Sequence, residues 1–232
     1  MTKVVVVDYG ASNLKSIVRG LERAGATVTV AQDPEGLEGA AGLVIPGVGA
    51  AGAAMRGLRE RGLVAPVRTA VETGAPFLGV CLGMQLLFGA QEEDDAMGLG
   101  LIEGHVRRLH GVKVPHMGWN TVEPVGGNEG PLAGLERDSY TYFVHSYYVE
   151  LDAASAAVAA GTTGYGARFV SAIAEDNVWG TQFHPEKSGA VGARVLRNFV
   201  ARCAGETRDI ASADSVPGAA DLETAVEAEV RR

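Results

Sequence analysis

Cysteine is scarce in this 232-residue chain, which has only Cys81 and Cys203. Two cysteines cannot build a disulfide framework, so a reducing, cytoplasmic setting is expected. No C-x-x-C pair occurs and the five histidines are scattered without metal-ligand spacing, so neither a metal nor a cofactor is expected. No apolar run is long enough to span a bilayer, and the first strand leads to Asp8 without a signal-peptide pattern; no membrane association is expected. Positive charge is also short, at 20 Lys and Arg against 28 Asp and Glu, net −8. That balance argues against a nucleic-acid partner, which needs clustered basic residues. A G-x-x-x-x-G-K-[ST] loop is missing, which argues against a built-in ATP-using synthetase. There is no internal repeat. What the chain does have is 47% hydrophobic residues, enough for one large core or two small ones.

Strand and helix patterns alternate through the first half. Strands are expected at 3–8, 27–31, 42–45 and 76–81, and helices at 13–24, 50–61, 65–73 and from Leu82 onward. Near-continuous β-branched runs such as 4–7 indicate strands buried on both faces, as in parallel sheets. The fold class expected is α/β: an open, doubly wound, mostly parallel sheet flanked by helices. From about 105 to 175 the pattern shifts to short strands with Gly and Asn turns, a smaller antiparallel excursion, before a last strand and a helix at 190–202. Ligands of such sheets bind beyond the strands' carboxyl ends, where Gly47, Cys81 and His184 all fall. Residues 1–204 form the expected domain. The remainder, 205–232, has seven acids against three arginines and no aromatic residue. It is expected to be a solvated, disordered tail with at most a weak polar helix at 221–231.

The apolar run at 77–80 breaks at Cys81, between Gly79 and Gly83, then resumes with helical spacing through Met84 and Gln85. Such a Gly-x-Cys-x-Gly step is the thiol counterpart of the nucleophile elbow, a sharp strand-to-helix turn presenting a side chain at the sheet's edge. Side chains in place of the glycines would block the turn and a substrate. The following helix is expected to set its N-terminal dipole and free N–H groups beside the sulfur. A plain alternative is a buried cysteine acting as a small hydrophobe. Farther along, a short strand ends in His184-Pro185-Glu186. An extended chain through Pro185 would place His184 and Glu186 on one face, the carboxylate holding the imidazole and stabilising its charged form. Cysteine, base and orienting acid are the three parts of an activated nucleophile. Because about 100 residues separate Cys81 from the other two, their contact depends on the fold.

With Cys81, His184 and Glu186 in this order, the chain resembles the class I glutamine amidotransferases, over residues 3 to about 203. The resemblance implies a flavodoxin-like sheet and a glutaminase. The segment from Leu43 to Gly49 is similar to the family's oxyanion segment, so backbone N–H groups of Val48, Gly49 and Leu82 are expected to face the oxygen of a tetrahedral intermediate. An ordinary strand-to-helix loop is the alternative there. By the resemblance, Gly47, Gln85, Glu93, His145, Ser146 and Tyr147 contact glutamine; Glu93 equally fits a solvated acidic loop at 91–95. Segments 8–14, 83–85, 115–120 and 142–148 are similar to the branch of the family that serves histidine biosynthesis. Related anthranilate and carbamoyl-phosphate glutaminases usually carry His where this chain has Met84.

That branch implies a partner, a separate (β/α)8-barrel cyclase subunit that forms a heterodimer and receives the ammonia. Asn13, Met117, Trp119, Asn120 and Lys187 become its interface residues by resemblance. Trp119 also has a physical case, since aromatics are enriched at interface hot spots, though a half-buried surface tryptophan is the alternative. The resemblance further implies low activity until the partner holds its nucleotide, with Pro46-Gly47-Val48-Gly49 as a switch whose glycines permit a peptide flip. Three rivals stand beside this reading. One is a glutaminase for another pathway, such as aminodeoxychorismate or pyridoxal-phosphate synthesis. The second is a partner-free γ-glutamyl hydrolase-like or cysteine peptidase-like enzyme, and the third a non-catalytic binding module. Met84 and residues 115–120 argue against the first, and the three intact triad positions against the last.

Overall fold

A computed structural model describes residues 2–10, 14–125 and 130–205. Asn13 and the tail beyond Gly205 lie outside the described residues. In chain order the first half contains β1 (Lys3–Val7), α1 (Leu14–Arg23), β2 (Thr27–Ala31), β3 (Gly42–Gly47), α2 (Ala51–Glu60), α3 (Val64–Glu72), β4 (Phe77–Cys81) and α4 (Leu82–Gln85). There follow β5 (Phe88–Gln91), β6 (Ile102–Arg108), β7 (His116–Pro124), β8 (Ser139–His145), β9 (Tyr147–Glu150), α5 (Ala153–Val158), β10 (Ala159–Tyr165), β11 (Ala167–Glu175), β12 (Val178–Thr181) and α6 (Gly189–Cys203).

Strands β2, β1, β3, β4 and β12 lie side by side and parallel. From β12 the sheet continues antiparallel through β11, β10, β7 and β8. A side branch runs from β11 to β9 and β6, with β5 parallel to β6. The four consecutive valines of β1 show why helices must cover both faces. All four are fully buried, and alternate ones point opposite ways. Val5 and Val7 join one core with Met55, Leu58 and Val67 of α2 and α3. Val4 and Val6 join the other with Ile17 and Leu21 of α1 and Leu196 and Phe199 of α6. This is the doubly wound sheet that the run at 4–7 calls for.

Two local expectations need correcting. The helix after Cys81 is a single turn, Leu82–Gln85. Leu86, Leu87 and Phe88 are all fully buried, leaving no polar face on which a longer helix would meet water. The carbonyls of Leu86 and Leu87 accept instead from the N–H groups of Leu99, Leu101 and Ile102. One turn sums few peptide dipoles, so the dipole contribution at Cys81 is small. Second, Pro185 does not keep the chain extended; it opens a 3-10 turn, Pro185–Lys187, because its fixed φ also suits the first position of a helix.

Candidate active site

The carboxyl ends of β3, β4 and β12 bring the expected reactive residues together. Gly47 pairs with Cys81, and Val80 with Thr181, three residues before His184. Cys81 has φ 54 and ψ −107, a conformation that L residues avoid and that typically costs ~1–3 kcal/mol. The surroundings enforce it. A Cβ at Gly83 would lie 1.8 Å from the Ile45 carbonyl oxygen, and one at Gly47 would lie 2.6 Å from Tyr9 Oη. Only glycine at both positions lets the elbow press against β3.

Three groups surround the sulfur. Gln182 Nε2 donates to Cys81 Sγ at 3.5 Å, and the thiol in turn faces the Val144 carbonyl at 3.8 Å. The third is His184, whose backbone is stitched to β8 by its N–H on the Tyr142 carbonyl and by Ser188, whose hydroxyl donates to the His184 carbonyl. His184 Nδ1 meets Glu186 Oε1 at 2.8 Å, with side chains only 3% and 8% exposed. The contact forms although the segment is a turn, since residues i and i+2 of one tight turn can also face each other. Burial by itself would push the His184 imidazole down. The contacts with Cys81 and Glu186, and their charges, outweigh it and raise the ring to about 10. Nε2 is buried and makes no hydrogen bond among the described residues, so Cys81 acts on the ring as a close neighbour without an aligned bond. An imidazole in this setting is ready to carry the proton of the adjacent thiol.

A cavity of about 310 Å3 opens at Cys81. Val48, Gly49, Leu82, Gln85, Glu93, His145, Ser146 and Tyr147 all line it, with Pro115 and Val144. Gly47 does not; it lies behind the elbow against Tyr9. Gly49 has φ 102 and open space around it, so the turn after β3 is left-handed without being crowded. Glu93 accepts the Ala51 N–H at 2.7 Å, which holds the first turn of α2 beside Val48 and Gly49. Burial raises its carboxyl above the usual range, with Asp94 adding and the Ala51 N–H opposing.

One wall of the cavity is made by the first of two buried, hydrogen-bonded histidines, His145 and His116. His145 Nδ1 reaches the Tyr147 carbonyl at 2.8 Å, which can only accept, so that nitrogen carries the proton. Neutral His145 therefore accepts at Nε2, and His116 Nδ1, 2.9 Å away, must donate. His116 Nε2 then accepts from Asn120 Nδ2. Burial pushes His116 down to about 4. Burial likewise pushes His145 down to about 3, against the pull of its Tyr147 bond and helped by the charges of His116 and His184.

The family model for class I glutamine amidotransferases matches residues 5–203. The chain belongs to the class I glutamine amidotransferase family. Among the curated relatives of this amidotransferase, the imidazole glycerol phosphate synthase subunit HisH of Halobacterium salinarum is 50% identical over 211 residues, covering 87% of this chain and 94% of that protein. The HisH of Nostoc punctiforme is 45% identical, covering 87% and 97%. Being named as subunits of a synthase, these relatives imply a partner subunit. Among solved structures, PurLQS from Thermotoga maritima superposes with TM-score 0.68 at 17% identity, over 87% of this chain and 98% of that one. The glutaminase domain of Trypanosoma brucei CTPS superposes with TM-score 0.66 at 18% identity, over 93% and 98%. These likenesses show the shared fold.

Of the expected partner-facing residues of this amidotransferase, Met117 is 63% and Trp119 40% exposed, on one face of β7. Trp119 packs edge-on to Tyr142, and Lys187 Nζ lies 5.7 Å over the same ring. Asn120 falls on the opposite face of the strand, where its amide donates to His116 and to the Gly164 carbonyl. Sequence reasoning missed Gln182 and His116. Both sit inside segments that stand out for their neighbours, but nothing in side-chain identity says that either faces the site. Cys203 packs against Gly42, and burial pushes its thiol up to about 12, which fits a packing role. One group with metal-ligand types occurs among the described residues, His105, Glu150 and Asp152. There Asp152 already caps α5 and Glu150 accepts from Arg107. No helix among the described residues is long and apolar enough to cross a membrane.

Proposed function

We propose that this chain is the glutaminase subunit of an imidazole glycerol phosphate synthase in histidine biosynthesis, with residues 1–204 as its amidotransferase domain. The observation that carries the reading is Cys81 at the cavity wall with the buried His184 and Glu186 pair beside it, in a chain half-identical to a synthase subunit over 87% of its length. The Cys81 sulfur attacks the side-chain amide carbon of glutamine while His184 holds the thiol proton. The negative oxygen of the tetrahedral intermediate is met by backbone N–H groups of Val48, Gly49 and Leu82, all at the cavity wall. His184, its charge stabilised by Glu186, returns the proton to the leaving nitrogen, and ammonia departs. Water, deprotonated by the now neutral ring, then cleaves the thioester to glutamate and restores the thiol.

Gln85, His145, Ser146 and Tyr147 line the substrate's place, as does Glu93, which accepts the Ala51 N–H at the start of α2. Gly47 acts from behind, by allowing the elbow its position. Ammonia passes to a separate (β/α)8-barrel cyclase, which docks over the face carrying Met117, Trp119 and Lys187 and makes imidazole glycerol phosphate and an aminoimidazole carboxamide ribonucleotide. Asn120 contributes through His116. Glutamate release, measured for the chain alone and with a cyclase barrel plus its nucleotide ligand, tests this. Strong stimulation that Cys81→Ala abolishes is the expected result. High activity without the barrel would favour a free-standing amidase.

A further inference from the structure

Gln182 occupies a place that the triad does not account for. Its side chain is fully buried and absent from the cavity wall, yet its amide touches the reactive sulfur. Which end of that amide faces Cys81 follows from the hydrogen-bond donors behind it. The Tyr147 carbonyl can only accept, and it receives Gln85 Nε2 at 2.7 Å. The amide of Gln85 is thereby oriented, and the same Nε2 group donates to Gln182 Oε1 at 2.9 Å. With its oxygen taken, Gln182 must turn its N–H group to Cys81 Sγ. The order runs Tyr147, Gln85, Gln182, Cys81, and reversing either amide would set two donors or two acceptors against each other.

We infer that Gln182 is a positioning residue for the Cys81 nucleophile, its buried amide N–H holding the sulfur in the attacking orientation and favouring its negatively charged form. This inference rests on the reading of Cys81 as the nucleophile. A hydrogen bond strengthens when its acceptor becomes charged, so an N–H aimed at sulfur favours the charged form. The Val144 carbonyl on the sulfur's other side has the opposite preference, because it can accept from a thiol but repels a thiolate. Gln182 thus offsets Val144, alongside the His184 ring. It enters from the same segment as His184, two residues earlier, with its own backbone N–H fixed on the Ser171 carbonyl. One short stretch of chain thus supplies both the base and the donor.

The test is the rate at which Cys81 is alkylated by iodoacetamide across pH 5–9, followed by peptide mass spectrometry in the full chain. This readout needs neither glutamine nor the partner. For Gln182→Leu, alkylation at neutral pH should slow roughly tenfold or more, the loss expected of a hydrogen bond to a charged atom, and its pH profile should move upward. Gln182→Glu keeps an acceptor for Gln85 but sets an oxygen against the sulfur, so its loss should be larger. With partner present, kcat should fall while KM for glutamine stays near that of the unmodified chain, because Gln182 does not line the cavity. Alkylation of a folded Gln182→Leu chain at the unmodified rate, with an unmoved pH profile, would overturn the inference. Should the leucine variant fail to fold, Gln182→Glu is read in the same assay, and an equal or faster rate overturns it. If the unmodified chain releases no glutamate, the functional reading fails while the alkylation comparison still decides the role of Gln182.

Discussion

Replacing Glu186 by Gln tests the charge arrangement around His184 most directly. The two side chains are 2.8 Å apart and almost wholly buried, so little water is at hand to take over the lost interaction. A hydrogen bond to a charged group contributes about 1.5–3 kcal/mol. At about 1.36 kcal/mol per unit, that is roughly one to two units on the imidazole. Glutamine keeps one oxygen for Nδ1 but places an amide N–H2 where Glu186 Oε2 has no hydrogen-bond partner among the described residues, adding a buried, unsatisfied donor. Glutamate release at saturating glutamine, with the cyclase partner and its ligand, should therefore fall roughly 10–100-fold, and its alkaline limb should move to lower pH. Stability should follow the same sign. The folded pKa of His184 lies above its ordinary value, so the stabilisation is fully present below about 6.5 and is lost as pH rises toward about 10. Glu186→Gln should therefore lower the melting temperature more at pH 6 than at pH 10. A kcat within about twofold of the original, an unmoved alkaline limb and an equal melting shift at both pH values would refute the charge argument.

The buried pair His116 and His145 should have the opposite pH signature. Their folded values lie below the ordinary 6.5, so their stabilisation is present above that pH and lost as pH falls through about 4 and about 3. For His116 the contribution is of the order of 3 kcal/mol, and urea midpoints between pH 7 and 3.5 should fall more steeply for the unmodified chain than for His116→Asn. Gly83→Ala should destabilise by ~3 kcal/mol or more or prevent folding, since its Cβ would strike the Ile45 backbone; thermal melting reads this. Gly49→Ala meets no steric obstacle but strains a left-handed residue. It should cost about 1 kcal/mol in stability yet change partner-stimulated glutamate release disproportionately, and unchanged basal and stimulated rates would place the switch elsewhere. Trp119→Ala should weaken binding to the cyclase barrel by roughly 1–2 kcal/mol in calorimetric titration while leaving the melting temperature within a few degrees.

The sequence by itself determined much of this protein. Four valines in a row are enough to require a strand covered on both faces, and the alternation of such runs with amphipathic segments is enough for a doubly wound sheet. Gly79-Val80-Cys81-Leu82-Gly83 reads as an elbow because only glycine fits where a turn presses on a neighbouring strand, a local constraint that leaves a local mark. His184 and Glu186 are legible for the same reason, being two residues apart. Other features have long-range causes. The helix after Cys81 stops at one turn because residues 99–102 take the carbonyls of Leu86 and Leu87, which follow it. The base reaches the sulfur because β12 lies next to β4 after a hundred-residue detour. Asn120 turns inward while Trp119 turns outward because β7 pairs with β8 in one register and no other. Gln182 faces the sulfur only through Gln85 and Tyr147, three positions spread from 85 to 182. A hydrogen bond's direction depends on which acceptor the fold sets opposite it, and the identity of a glutamine carries no record of that.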